Sequence, residues 1–466
     1  MDGETMDFED LDGLVRRAQE RALDRRQGFV WRPDGATTPP PAAAPPTLDR
    51  PLRVLLSNKE RTLFNYLADE RLTITVQQPG AAVPAPPDVV VITRADRMQL
   101  AASAADLPPE TWAQVAEGRL RLVFDASGEG EEHELHRLEV LHAFLRARGL
   151  RPSMAAYVTQ DRAYARAYDA CCDQQGLGDE RMRIWVHDLY VQRTFAEVRA
   201  GGEQMFQQRL AAYAGRARVR PRQFLSLNRT IRPVKALLLL RLMQAGLWDQ
   251  GFFSLGRLGE VGRGKVESRT KFLAMLRAQP GFEDLAPALE PLLDDLEAIG
   301  PISLGMRDDL SERKATRWML GPMPLEQYGR SWFSVITESH ASDRLHRITE
   351  KPFKPLLNFH PFIVLGCLGA LRLVRAYGFD TYPQMFDESY DETVPLRARH
   401  DMIFEETRRL CRLDQAEIGR IDDEVAQTVV FNAWWGLVEL PRLFHSHIDA
   451  HLVDQLAALW AEPAAA

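Results

Sequence analysis

Cysteine is scarce in this 466-residue chain: Cys171, Cys172, Cys367 and Cys411 are the four present, and no CxxC pair occurs. Scattered thiols exclude a disulfide-built scaffold and the cysteine-rich zinc modules, and they read as buried side chains. Long apolar runs are lacking as well. The stretches 236–240 and 361–368 fall far short of the roughly 20 residues that a membrane helix needs. The first ten residues are acidic, with no basic start and no apolar stretch behind it, so the expected location is the cytoplasm, free or peripheral to the inner membrane face. There is no fixed-period repeat, which excludes solenoids and arrays. Nor is there an excess of positive charge: 58 Lys and Arg against 65 Asp and Glu leave a net charge of -7. That balance works against a long footprint on nucleic acid and favours a small anion gripped by a local basic cluster.

What the chain does contain is globular, with 45% hydrophobic and 26% charged residues in a length that suits two large domains. Residues 1–50 read as a flexible charged tail followed by the proline-stiffened linker TTPPPAAAPP. From residue 51 the apolar runs RVLLS, DVVVIT, RLRLVFDAS, MAAYVT and MRIWVHDLYV alternate with amphipathic stretches, which predicts strands followed by helices in a parallel sheet. Between them, Leu135, Leu138, Leu141 and Leu145 recur at helical spacing, and Gly149 suits the stop. A basic segment, AGRARVRPRQ, separates this half from a new strand, FLSLN, and the helical run VKALLLLRLMQAG. The expected organisation is a first α/β domain at 51–215, a second at 216–425 with a helical insertion near 258–320, and C-terminal helices at 426–466. Such domains are expected to face a central cleft along the carboxyl ends of their strands.

The second half carries the chemistry-bearing motifs. WFSVITES reads as a strand closing in Glu338 and Ser339. RITEKPFKPLL follows, in which Thr349 suits a helix N-cap, Glu350 the first turn, and Lys351 and Lys354 lie one turn apart on one face. A helix start of this kind can hold a diphosphate, through its outward N–H groups and the lysine charges, while the carboxylate accepts ribose hydroxyls. An ordinary charged surface helix is the competing reading. Upstream, SLNRTIRPVK gathers Asn228, Arg229, Arg232 and Lys235 just after a strand, and arginine forks match phosphate oxygens. With Arg216, Arg218, Arg220 and Arg222 before it, the same run also reads as a solvated linker or a site for a partner's acids. In PFIVLGCLGALRLVRAYGF, a strand leads into a GxxG turn at Gly366 and Gly369, where backbone can approach a ligand or simply pack tightly.

FSVITES followed by RITEK resembles the donor domain of the alpha-1,3-fucosyltransferases, in which an FENS-like strand end precedes YITEK. The resemblance spans residues 224–390. It implies a GT-B fold of two Rossmann-like domains facing a central cleft, with extra helices here, and a nucleotide-diphosphate sugar as donor substrate, GDP-sugar favoured, without a further cofactor or metal. By the same resemblance Glu350 and Lys351 contact the nucleotide, Glu338 lies beside the ribose or sugar, and Arg229 or Arg232 takes the phosphate-binding role. The chain departs from the family where Thr337 and Glu338 replace the expected asparagine and where Pro352 and Pro355 interrupt the helix. ITEKPFKP together with GFDTYPQMFDESYDE also resembles bacterial and phage glycosyltransferase-like proteins; Asp387, Glu388, Asp391 and Glu392 of that run either order the last donor loop or form a solvated acidic turn.

An inverting transferase needs a base for the acceptor hydroxyl, and the first half has to supply it. Glu129 is preferred and Asp125 is second, both in FDASGEGEEHELH at a strand's carboxyl end; His187 and Asp188 form a weaker pair. His133 with His136, and His445, His447, Asp449 and His451, each give one pair at helical spacing, but neither set offers the third ligand that a zinc site requires. No DxD motif stands beside a donor strand. The acceptor is expected to be a glycan, a lipid-linked molecule or a protein. The other readings are a non-catalytic nucleotide-sugar or glycan-binding protein and a phage-type DNA-modifying transferase, against which the acidic net charge weighs.

Overall fold

The computed structural model describes residues 8–31, 47–57, 62–67, 69–77, 86–93, 100–105, 107–128, 135–178, 180–258, 268–304, 320 and 323–462. Ten strands form two sheets. Strands β1 (Leu52–Leu56), β2 (Leu72–Val76), β3 (Val89–Thr93), β4 (Arg121–Asp125), β5 (Ala155–Thr159) and β6 (Arg183–Val186) are all parallel, in the order β2-β1-β3-β4-β5-β6. Strands β7 (Phe224–Asn228), β8 (Gly251–Leu255), β9 (Phe333–Thr337) and β10 (Phe362–Leu365) form a second parallel sheet, ordered β10-β9-β7-β8. Two parallel sheets with helices make this an α/β protein.

Parallel sheets are covered on both faces, and the burial follows: every residue of β3, β4 and β5 is buried, whereas edge strand β2 alternates between half-buried and exposed. Alternate residues of each strand serve different cores. Leu55, Val90, Leu122 and Phe124 pack with Leu141, Leu145 and Tyr168, while Val54, Val91, Val123 and Val158 pack with Leu452, Leu456 and Leu459 of the helix Ala450–Ala461.

The chain divides into two compact units. The first-sheet unit comprises Val30–Ala196, Arg344–Arg347 and Arg442–Ala466; the second-sheet unit comprises Met1–Phe29, Glu197–Asp343 and Ile348–Pro441. Within residues 1–50, expected as a tail and linker, Phe8–Gly28 is a helix. Its buried stripe Leu11, Leu14, Ala18 and Ala22 accompanies packing along the helix Gln415–Trp434, and the Arg21 guanidinium lies 4.5 Å above the Phe431 ring. The region expected to be an insertion contains helices Arg269–Arg277, Leu285–Leu289 and Leu293–Ile299.

In the second sheet the chain runs outward from β7 to β8, then returns to the far side of β7 for β9 and β10. The order therefore reverses between β7 and β9, the kind of switch point where open α/β sheets leave room for ligands at their carboxyl ends.

Candidate anion-binding site at the end of the second sheet

Asn228 ends β7 and Thr337 ends β9, and their side chains join the two strands. The Thr337 hydroxyl donates to Asn228 Oδ1 at 2.6 Å, and Asn228 Nδ2 donates to Ser226 Oγ at 2.9 Å. Asn228 is fully buried, so this residue, expected to touch a donor, acts as a strut between strands. Behind it, the Gly256 N–H donates to the Asn228 carbonyl at 2.8 Å, and a Cβ on Gly256 would lie 1.6 Å from the Arg229 carbonyl oxygen. Only glycine lets the chain after β8 pass this close to the turn that carries Arg229.

Glu338 follows β9 and is buried. Its Oε1 accepts the Thr349 N–H at 2.9 Å; its Oε2 accepts the Thr349 hydroxyl at 2.7 Å and the Ser339 N–H at 3.2 Å. The carboxylate thus clamps the TEK segment to the strand end, and Lys351 Nζ approaches it at 3.5 Å while also donating to Thr349 Oγ1 at 3.0 Å. The expected helix start at Thr349 is corrected. The helix spans only Phe353–Leu356, with Pro352 at its N-cap and Phe359 beyond it in the left-handed region at φ 55°. Proline supplies no N–H, and a four-residue helix presents little dipole, so attraction for anions here comes from side chains.

Those side chains do gather. Lys235, on the helix Pro233–Gln244, is buried; burial and the Lys351 charge, with Arg232 beyond, pull its ammonium down to about 7 against the opposing pull of Glu338 and Glu350. Burial pushes the Glu350 carboxyl up, yet Lys351 and Lys354 outweigh it and hold the group at about 2. Lys354 is itself lowered, by burial first and then by Lys351 and Arg229, while Glu350 and Glu197 raise it. Arg232 directs Nη1 at the His340 ring, 2.6 Å from Nε2. Five basic side chains, Arg229, Arg232, Lys235, Lys351 and Lys354, therefore share one field with three carboxylates, Glu197, Glu338 and Glu350. The surplus is positive, and an anion relieves it.

The glycine turn has a protein occupant. Gly369 sits at φ 73°, and the Leu371 and Arg372 N–H groups donate to the Asp391 carboxylate at 2.9 and 3.1 Å. A Cβ on Gly366 would meet Glu338 Cγ at 3.3 Å, so the close approach serves packing. Glu388 takes the Thr381 hydroxyl and the Tyr382 N–H, and Glu392 is exposed. The acidic run is half structural and half solvated.

In the first-sheet unit, Asp125 ends β4 with no exposed surface. It accepts from Thr62 Oγ1 (2.6 Å), Leu63 N (3.1 Å), Ser127 N (2.9 Å) and Ser127 Oγ (2.5 Å), and burial pushes its carboxyl up despite these donors. A carboxylate so enclosed braces the strand end. Glu129 lies outside the described residues, as does His133. Asp188 takes Arg162 at 2.7 Å, and His187 Nε2 lies 3.3 Å from Asp449 Oδ1, all buried. His445 stands 3.7 Å from Asp449, whereas His451 packs on the Trp31 ring. Among the described residues no three His, Cys, Asp or Glu side chains gather as a metal site.

No protein-family model, no curated protein and no solved structure matches this chain. The second-sheet cluster was legible in sequence except for the burial of Lys235, for which the signal is its position on an almost wholly apolar helix. The burial of Arg216 and Arg220 was not anticipated; both pair with Asp422, two hundred residues on.

Proposed function

We propose that the protein is a glycosyltransferase of the GT-B type, inverting and metal-independent, that holds a nucleotide-diphosphate sugar at the second-sheet cluster. The single observation that carries this reading is the convergence of Arg229, Arg232, Lys235, Lys351 and Lys354 at the β7/β9 switch point. A leaving diphosphate gains charge as the glycosidic bond to it breaks, and fixed cations in a partly desolvated site stabilise that charge more than water does. Glu350, ionised throughout the physiological range, is suited to accept ribose hydroxyls. Resemblance to the fucosyltransferase donor motif favours a GDP-sugar, with a hexose or deoxyhexose passed to a glycan, lipid-linked or protein acceptor.

One observation favours a second reading, a nucleotide-sugar binder without turnover. Asp125, a candidate base, is enclosed and saturated with donors. Catalysis then rests on Glu129 or on another first-unit group.

Thermal melts with GDP-, UDP-, CMP- and dTDP-sugars test both. A ligand present at about 100 times its dissociation constant raises stability by about 2.7 kcal/mol. Stabilisation by one nucleotide class with release of free nucleotide supports the transferase; stabilisation without release supports the binder. If none of the four classes shifts the melt, both readings fail.

A further inference from the structure

A second basic site lies elsewhere in the second-sheet unit. A cavity there is lined by Arg209, Tyr213, Arg216, Arg220, Asn358 and His360, with Phe359 and Tyr328 beside them. The three arginines retain 8%, 9% and 4% of their surface. Buried guanidinium groups need counter-charge. Asp422 provides one, at 2.5 Å from Arg216 and 2.8 Å from Arg220, while its neighbour Asp423 is taken by Arg218. Arg209 donates to the Leu357 carbonyl at 2.9 Å and has no carboxylate partner among the described residues. His360 adds no charge: its Nε2 lies 2.9 Å from the Ser331 carbonyl and its Nδ1 2.8 Å from Ser334 Oγ, and burial pulls it down to about 3. Three cations against one anion leave two positive charges unmatched.

The polar inventory points the same way. The Tyr213 hydroxyl and Asn358 Oδ1 are buried at this cavity with no hydrogen-bond partner among the described residues. Asn358 Nδ2 donates to the Lys354 carbonyl at 2.6 Å, which fixes Oδ1 as the atom left over. The arginines are held in place, Arg216 at 3.4 Å over the Tyr213 ring and Arg220 at 3.9 Å over the Trp332 ring. Phe359, alone among the described non-glycine residues in having positive φ, shapes the wall.

We infer that this cavity is an anion site separate from the Lys351 cluster, built for a phosphate group that brings a hydroxyl, its own or an adjacent one. A dianion balances the charge, guanidinium groups and the Tyr213 hydroxyl donate to its oxygens, and Asn358 Oδ1 accepts from a P–O–H or an adjacent hydroxyl. Sulfate has the charge but no proton to give, so the acceptor discriminates against it.

Calorimetry on the full chain carrying Lys351→Gln and Lys354→Gln tests this separately from the donor reading, because that cluster has then lost two of its five cations and the substitutions added to it lie at the cavity alone. Inorganic phosphate, glycerol phosphate and sulfate are the probes. Saturable binding is expected for phosphate or its monoester. Adding Arg209→Gln should weaken it by about tenfold or more, and Tyr213→Phe, which keeps the ring and the fold, by about three- to tenfold. Tighter binding of glycerol phosphate assigns the occupant to a phosphomonoester; the reverse assigns it to free phosphate. Absence of saturable binding, indifference to both substitutions, or equal affinity for sulfate overturns the assignment.

Discussion

Glu338 and Thr349 stand eleven residues apart in sequence and are joined by one carboxylate, which takes both the N–H and the hydroxyl of the threonine at 2.9 and 2.7 Å. Glutamine in place of Glu338 keeps the shape but turns an N–H2 toward donors and removes the charge. Glu338→Gln is expected to cost about 1.5–3 kcal/mol, the range for a hydrogen bond to a charged group. The midpoint of chemical denaturation measures it, and a midpoint equal to that of the unsubstituted chain would refute the clamp.

Lys351 and Lys354 supply charge to the proposed donor site, and Lys351 also bonds Thr349 beside Glu338. Each replaced by Gln should weaken GDP-sugar binding by about ten- to a hundredfold, as expected for loss of a charge-assisted contact. Titration calorimetry reads the change. Unaltered affinity in both variants would remove the diphosphate from this cluster.

Two groups make stability rise with pH, each in its own range. Lys235 is held at about 7 by burial and by Lys351, well below its unfolded value, so between pH 7 and about 10 the unfolded chain binds the extra proton and stability rises with pH. Lys235→Met should flatten that rise. Glu350 is at about 2 in the fold, so its contribution is complete above its unfolded value of about 4.3 and is lost as pH falls toward 2. Glu350→Gln should lose less stability over that acid range, as followed by denaturant melts at a series of pH values.

An anion bound beside Lys235 should restore its proton. At pH 8 nucleotide-sugar binding is expected to take up protons from the buffer, visible as a dependence of the apparent binding heat on buffer ionisation enthalpy, and absent in Lys235→Met. Identical proton uptake in that variant would place the ligand away from Lys235.

Gly256→Ala would press a methyl against the Arg229 carbonyl, 1.6 Å from the ideal Cβ position. Overpacking of this sort costs about 1–3 kcal/mol. The melt should fall and GDP-sugar affinity should drop with it as the Arg229 turn shifts; a variant as stable as the parent would show that the turn can yield.

Eight of the ten strands were legible as apolar runs, the six central ones because both of their faces are covered and the edge strands β6 and β10 through apolar runs of their own. The two that were not, β2 and β8, are sheet edges: LTITV is half-buried, and GFFSL opens on a glycine. The Glu338 and Lys351 motif announced itself through local spacing, but the burial of Lys235 and the pairing of Arg216 and Arg220 with Asp422 depend on contacts made across the fold, which charge runs read as solvated cannot reveal. The turn at Gly366 and Gly369 looked open to a ligand; its occupant, Asp391, lies beyond the following helix.

The helix Ala450–Ala461 supplies Leu452, Leu456 and Leu459 to the core beneath the first sheet, although more than two hundred residues of the other unit are threaded between. A gene cut after β6 would therefore yield a half whose sheet lacks one of its covers, and a stop codon near Pro441 would expose Val54, Val91, Val123 and Val158 to water. Shortening the chain from its far end should thus strike first at the domain encoded at its beginning, with aggregation as the visible outcome.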